Sequence, residues 1–204
     1  MKLVCLDLEG VLVPEIWIAF AEATGIPELR RTTRDEPDYN ALMAFRLEIL
    51  NQRQYKLHDI QRVISTMEPL DGAIEFCAAI RERTQLIILS DTFEQFAAPL
   101  MKKLSYPTLF CNTLKIADDG QITGWKLRQD NGKKHAVDAF ASCNISVFAA
   151  GDSFNDLAMI QSARSGCLFR APQAIRTANP AIPAVDGYTE LRAQIDAFLA
   201  APDF

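Results

Sequence analysis

The chain opens with Met1-Lys2-Leu3-Val4-Cys5-Leu6-Asp7-Leu8-Glu9-Gly10, and the reading of this stretch decides the fold. Leu3–Leu6 is a short apolar run of strand type, and Asp7 closes it with a carboxylate. An ionised side chain directly after four apolar strand residues needs a metal or a charged partner. Similar runs recur at Leu86–Leu89, Ile145–Ala150 and Cys167–Phe169, with stretches of helical periodicity between or after them. That alternation predicts an α/β protein: a Rossmann-like, mainly parallel sheet with helices on both faces.

The alternation breaks once. Between the first run and the second, residues 12–70 hold no convincing strand and several amphipathic helices, and are expected to form an inserted helical cap. Residues 1–11 and 71–204 are then expected to make the Rossmann-like core. Within the insertion, Pro14 is expected at a first helical position and Gly25 at the stop, followed by a helix from about Asp38 to Arg53. Around Asp118-Asp119-Gly120, the flanking Leu114, Ile116, Ile122 and Trp125 suggest a small β-hairpin.

A chain of 204 residues has room for one substantial domain with an insertion, not for a second large one. The net charge of −5 argues against nucleic-acid and membrane-surface partners, which would meet a basic face, and points to small molecules. Cys5, Cys77, Cys111, Cys143 and Cys167 are odd in number and widely spaced, so they read as reduced core thiols. No apolar run approaches membrane-spanning length, and Asp7 interrupts any signal-peptide pattern, so a cytoplasmic location is expected.

Open α/β sheets bind ligands at the carboxyl ends of their strands. Three of the runs end in acid: at Asp7, at Ser90-Asp91-Thr92, and at Gly151-Asp152-Ser153-Phe154-Asn155-Asp156. A further group, Lys133-Lys134, follows Asn131-Gly132 at a helix start, where cations are disfavoured unless one faces a bound anion. The only histidines, His58 and His135, fall in helices, and there is no serine or cysteine triad, so zinc and serine-hydrolase chemistry are poorly supported. Hard carboxylate oxygens suit Mg²⁺, the ion and a lysine together suit a phosphoryl group, and a carboxylate can accept that group directly.

Plainer roles compete for several of these residues. Asp91 with Glu94, or Thr92 with Gln95, would make a capping box, Asp152 could be an N-cap, and Asp156 a first-turn acid on the same helical edge. Lys134 is the alternative to Lys133. In the insertion, Glu15 sits at a dipole-favoured helix start, and Arg46 shares a stripe with Met43 and Leu50, which brings its guanidinium to the edge of an apolar face.

In order and approximate spacing, Asp7-Leu8-Glu9-Gly10, Ser90-Asp91, Lys133 and Gly151–Asp156 resemble the four motifs of the haloacid dehalogenase superfamily. The opening Asp7–Trp17, Thr32-Thr33-Arg34-Asp35, Ile88–Phe93 and Leu127-Arg128-Gln129 further resemble phosphoserine phosphatases, closest to the bacterial group that also transfers the phosphoryl group to homoserine. The resemblance implies Asp7 as nucleophile and Glu9 as acid and base. It implies Mg²⁺ held by Asp7, the Glu9 backbone carbonyl and Asp152, with Asp156 one layer further out. Ser90, Asp91, Lys133 and Asn155 would contact phosphate or substrate, and Glu15 and Arg46 the substrate's amino and carboxylate groups.

Most phosphatases of the superfamily carry a second Asp and then a hydroxyl residue where this chain has Glu9 and Gly10. The longer acid matches the bifunctional group and leaves the proton-transfer geometry open. A phosphatase of a sugar or nucleotide phosphate, and a catalytically silent binding module, are the competing readings.

Overall fold

The computed structural model describes residues 1–33, 35–36 and 38–202. Its strands are β1 (Lys2–Leu6), β2 (Gln85–Phe93), β3 (Thr108–Ile116), β4 (Ile122–Lys126), β5 (Ser146–Gly151), β6 (Ser165–Phe169) and β7 (Ala184–Val185). They form one sheet ordered β4-β3-β2-β1-β5-β6-β7, parallel throughout except for the antiparallel β3–β4 pair. The opening strand is the central one. Leu3–Leu6 pairs with β2 on one side and β5 on the other, and Val4, Cys5 and Leu6 are fully buried. Because the chain leaves β1 first toward β2 and later returns as β5, a crevice opens at the carboxyl end of β1. Asp7 stands there.

Between β1 and β2 come α1 (Ile16–Thr24), a 3₁₀ turn (Pro27–Arg30), α2 (Tyr39–Gln52), α3 (Leu57–Thr66) and α4 (Ala73–Arg81). The segment shares its apolar interior with the sheet: Trp17 of α1 meets Phe96 edge-on, with ring centroids 5.6 Å apart. Phe96 belongs to α5 (Glu94–Lys103), and α6 (Gly132–Ser142), α7 (Phe154–Ser162), α8 (Gln173–Ala178) and α9 (Tyr188–Ala200) complete the helices of the described residues.

Helix boundaries follow the sequence with one shift. Asp38 caps α2 by accepting from the Asn40 and Ala41 amides at 2.9 and 3.2 Å, and Gly25 ends α1 in the left-handed conformation at φ 66°. Pro14 is not in the helix: Glu15 is the extended N-cap residue, so Pro14 lies outside.

The hairpin around Asp119-Gly120 is present, but its first arm is the second half of a nine-residue strand that also pairs with β2. Only two residues of β3 are buried, and Asn112 cuts its apolar stretch Leu109-Phe110-Cys111 short. The thiols are unpaired, and Cys5, Cys77 and Cys167 are buried as expected. Cys143 is exposed and Cys111 half-buried, contrary to the expectation of core thiols, because they fall after α6 and on β3 rather than in fully covered strands or helix faces. Among the described residues no helix is long and apolar enough to cross a membrane.

Candidate active site

Asp7 continues the ladder beyond β1, its amide donating to the Ala150 carbonyl at 3.0 Å, and presents its carboxylate to a cavity of about 100 Å³. Oδ1 of Asp7 accepts from the Leu8 amide at 2.7 Å and lies 2.9 Å from Lys133 Nζ. Lys133 comes from the first turn of α6, a helix entered through Asn131 at φ 48°. Its Nζ also donates to Asp156 Oδ1 at 2.7 Å and stands 3.7 Å from Asp91 Oδ2.

Asp156 is fully buried behind this pair. Its Oδ2 accepts from the amides of Asp152 and Ser153, each at 3.0 Å, and from the Ser153 hydroxyl at 2.9 Å. With both oxygens engaged, Asp156 holds Lys133 and the turn that carries Asp152. The close approaches demand glycines. A Cβ on Gly10, which sits at φ +76°, would come within 2.6 Å of the Asp152 carboxyl carbon, and one on Gly151 within 2.2 Å of Asp156 Cγ.

On the other side of β1, the β2–β3 ladder loses register between Leu89 and Phe93, so Ser90-Asp91-Thr92 lie in an irregular stretch facing the cavity. Ser90 Oγ accepts from the Thr92 amide at 3.2 Å, which leaves its hydroxyl proton to donate.

The carboxylates of Asp7, Asp152 and Asp156 are buried, and oxygens from all three lie within 4.8 Å of one another. Burial, then the Asp156 and Asp152 charges, push the Asp7 carboxyl well above its ordinary range, against the pull of Lys133. Burial opposes the Lys133 charge, but Asp156, Asp7 and Asp91 outweigh it and hold the ammonium well above the usual lysine value. Three carboxylates against one lysine leave excess negative charge in hard oxygen donors, and that fits a small divalent cation.

The opposite wall comes from the segment after β1. Glu9 is half-buried, and its Oε2 accepts from the Ile16 amide at 2.8 Å, serving the N-terminus of α1 that the adjacent Glu15 leaves without a side-chain cap. Burial and the neighbouring Glu15 charge raise the Glu9 carboxyl to about 7, despite the hydrogen bonds from Ile16 and Thr92 and the Arg46 charge. Such a group can both give and take a proton at neutral pH.

Arg46 is buried on α2, its guanidinium 4.5 Å over the Trp17 ring. Nη2 donates to the Arg31 carbonyl at 2.8 Å, Nη1 lies 3.9 Å from the Met43 sulfur, and Nε is buried with no hydrogen-bond partner. Burial lowers its pKa to about 10, still cationic at neutral pH, with Glu9, Tyr39 and Glu15 holding it up.

Asp7, Glu9, Glu15, Arg46, Ser90, Asp91, Lys133, Asp152 and Asn155 all line one cavity, and Asp156 adjoins it through Lys133. Of the plainer roles, Asp156 is a first-turn acid of α7 as expected, while the capping roles of Asp152, Asp91 and Thr92 do not form. Asp152 is not an N-cap: Ser153 takes that place, with Asp156 completing the capping box, so the two aspartates do not share a helical edge. Neither capping box proposed for Asp91 and Thr92 forms, since Phe93 precedes α5 and Gln95 instead bonds both backbone groups of Leu114. Lys134 turns to Asp138, 2.5 Å away.

Tyr39, Trp17, Thr33 and Thr92 also line the cavity, and the sequence pattern assigns none of them a contact. Tyr39 was legible in principle, because it shares the i, i+4, i+7 stripe of Met43 and Arg46. Of the segment Thr32–Asp35, Arg34 lies outside the described residues.

A buried acid triad and lysine at the carboxyl edge of such a sheet belong to a known class of hydrolase. The chain is a member of the haloacid dehalogenase-like hydrolase family, whose model matches residues 6–161. It is 53% identical over 192 residues to the phosphoserine phosphatase ThrH of Pseudomonas aeruginosa, covering 94% of each chain. A phosphoserine phosphatase of Pseudomonas syringae pv. tomato is 52% identical over 192 residues, 94% of this chain and 81% of that one. A substrate-bound phosphoserine phosphatase complex superposes with a TM-score of 0.77 over 96% of this chain and 97% of that one, a likeness of fold at 20% identity.

Proposed function

We propose that this protein is a Mg²⁺-dependent phosphoserine phosphatase acting through an aspartyl-phosphate on Asp7, and that it also passes the phosphoryl group to homoserine. The observation that carries the reading is one small cavity with two unlike ends: Asp7, Ser90 and Lys133 at one, Glu9, Glu15 and Arg46 at the other. The first end suits a phosphoryl group, the second an amino acid. Glu15 would receive the ammonium, and the buried guanidinium of Arg46, with its unpartnered Nε, the carboxylate. The names of the two Pseudomonas relatives support the substrate.

Asp7 and Asp152, with the Glu9 backbone carbonyl, would hold the ion, and Asp156 keeps the Asp152 turn in place. When bound, Mg²⁺ supplies positive charge to the phosphoryl oxygens. The free carboxylate oxygen of Asp7 attacks phosphorus in line, and the bond from phosphorus to the serine oxygen breaks. Lys133 and Ser90 donate to phosphoryl oxygens, and Glu9 as the acid gives its proton to the departing serine oxygen. Glu9, now the base, takes a proton from the acceptor hydroxyl as its oxygen attacks the aspartyl-phosphate, which regenerates Asp7. Water as acceptor gives phosphate. Homoserine, one methylene longer than serine, gives phosphohomoserine from the same contacts.

The test is turnover of phosphoserine with Mg²⁺, assaying free phosphate and phosphohomoserine with and without homoserine. Equal rates on phosphoserine and on sugar phosphates would sink the amino-acid assignment. Absence of phosphohomoserine would remove the transfer reaction and leave the phosphatase.

A further inference from the structure

The two ends of the cavity stand on different elements, and one side chain ties them together. Tyr39 is the first residue of α2, the helix that carries Arg46 seven positions on. Its hydroxyl donates to the backbone carbonyl of Asp91 at 3.0 Å. That carbonyl lies in the stretch where β2 and β3 lose register, between the paired residues Leu89 and Phe93. The buried side chain of Asn112 on β3 is its other partner, with Nδ2 donating at 3.0 Å while Oδ1 accepts from the Arg128 amide at 2.9 Å. The next residue of α2, Asn40, accepts from Trp125 Nε1 of β4 at 3.2 Å, so the first turn of α2 is fixed to the sheet at two points.

The geometry points to Tyr39 as a positioning residue that sets the spacing between the amino-acid end and the phosphoryl end. The inference rests on the phosphoserine reading above. Its hydroxyl registers α2, and with it the Arg46 guanidinium, against the Ser90–Asp91 segment. A substrate held at both ends gains its rate from that spacing, because binding energy at a remote group is spent on orienting the reacting one. A donor that occupies the phosphoryl end alone gains nothing from it.

Tyr39→Phe keeps the ring and removes the hydrogen bond. Wild type and variant are compared on phosphoserine and on acetyl phosphate, which has no amino-acid moiety, with Mg²⁺ present. Losing one hydrogen bond should lower the ratio of kcat/KM for phosphoserine over acetyl phosphate by about 5- to 10-fold. A ratio unchanged in the variant, whether both rates fall together or neither falls, overturns the proposal alone, since a merely structural tyrosine would act on both donors alike. A wild-type enzyme indifferent between the two donors would overturn the phosphoserine reading and this proposal with it.

Discussion

The phosphoryl end and the amino-acid end of the cavity are built in opposite ways. At the first, Lys133 pairs with Asp7 and Asp156, and Asp156 spends both oxygens on Lys133 and the Asp152–Ser153 turn. The residues sit on strand ends and first helical turns of the sheet. At the second, Arg46 has a buried Nε without a partner, and it stands on a helix of the long segment between β1 and α4. One end is preorganised, as electrostatic stabilisation of a transition state requires. The other keeps an unmet hydrogen-bond donor that a ligand would satisfy.

The comparison breaks most completely at Asp7. Asp7→Asn keeps the shape and removes the proposed nucleophile, and removing a nucleophile from a working constellation costs about 10⁴-fold or more in kcat. Loss on that scale is expected with phosphoserine and acetyl phosphate alike, measured as phosphate release. Turnover surviving the change would mean that no aspartyl-phosphate forms.

Arg46→Met should separate the two ends. A substrate carboxylate left buried and unpaired costs about 2–4 kcal/mol, so kcat/KM for phosphoserine is expected to drop roughly 30- to 1,000-fold. Acetyl phosphate, which does not reach that end, should lose far less. A parallel loss on both donors would place Arg46 in the fold rather than in recognition.

The same contrast explains what the sequence made legible. The phosphoryl end is written at strand termini, where Asp7, Ser90-Asp91 and Asp152 each close an apolar run, so the α/β pattern points straight at them. Lys133 is betrayed by a cation at a helix start. The amino-acid end lacks such punctuation: Arg46 lies on a helix and Glu15 at a helix start, places where charge is ordinary, and only the family resemblance singles them out.

Tyr39 on an apolar stripe reads as core in the sequence, and only the three-dimensional fold brings its hydroxyl to Asp91. Strand β3 was missed in its first half for a related reason. It has β2 on one side and only the short β4 on the other, and its mixed burial goes with a short apolar stretch, Leu109-Phe110-Cys111, that Asn112 interrupts.

Gly10→Ala tests how tightly the phosphoryl end is closed. The added methyl would stand 2.6 Å from the Asp152 carboxyl carbon, at a φ of +76° that side chains rarely adopt. Displacing the Asp152 carboxylate should raise the Mg²⁺ concentration for half-maximal activity by about 10- to 100-fold. An unchanged Mg²⁺ requirement would mean that Asp152 does not help hold the ion.

Glu9 stands at the amino-acid end beside Glu15 and Arg46, and its titration sharpens the boundary with the smallest effect. With its carboxyl raised to about 7, the acid form proposed to protonate the leaving serine oxygen is lost as pH rises through that value. Above it, kcat/KM for phosphoserine should fall about tenfold per pH unit, because this ratio reports the free enzyme's essential groups. p-Nitrophenyl phosphate has a leaving group that departs without a proton, so it should show no such fall. If both substrates lose rate together, the titrating group belongs to the phosphoryl end, through which every donor must pass. A fall confined to phosphoserine assigns the proton to the leaving oxygen, and Glu9→Gln should then abolish that limb of the profile along with most of the phosphoserine rate.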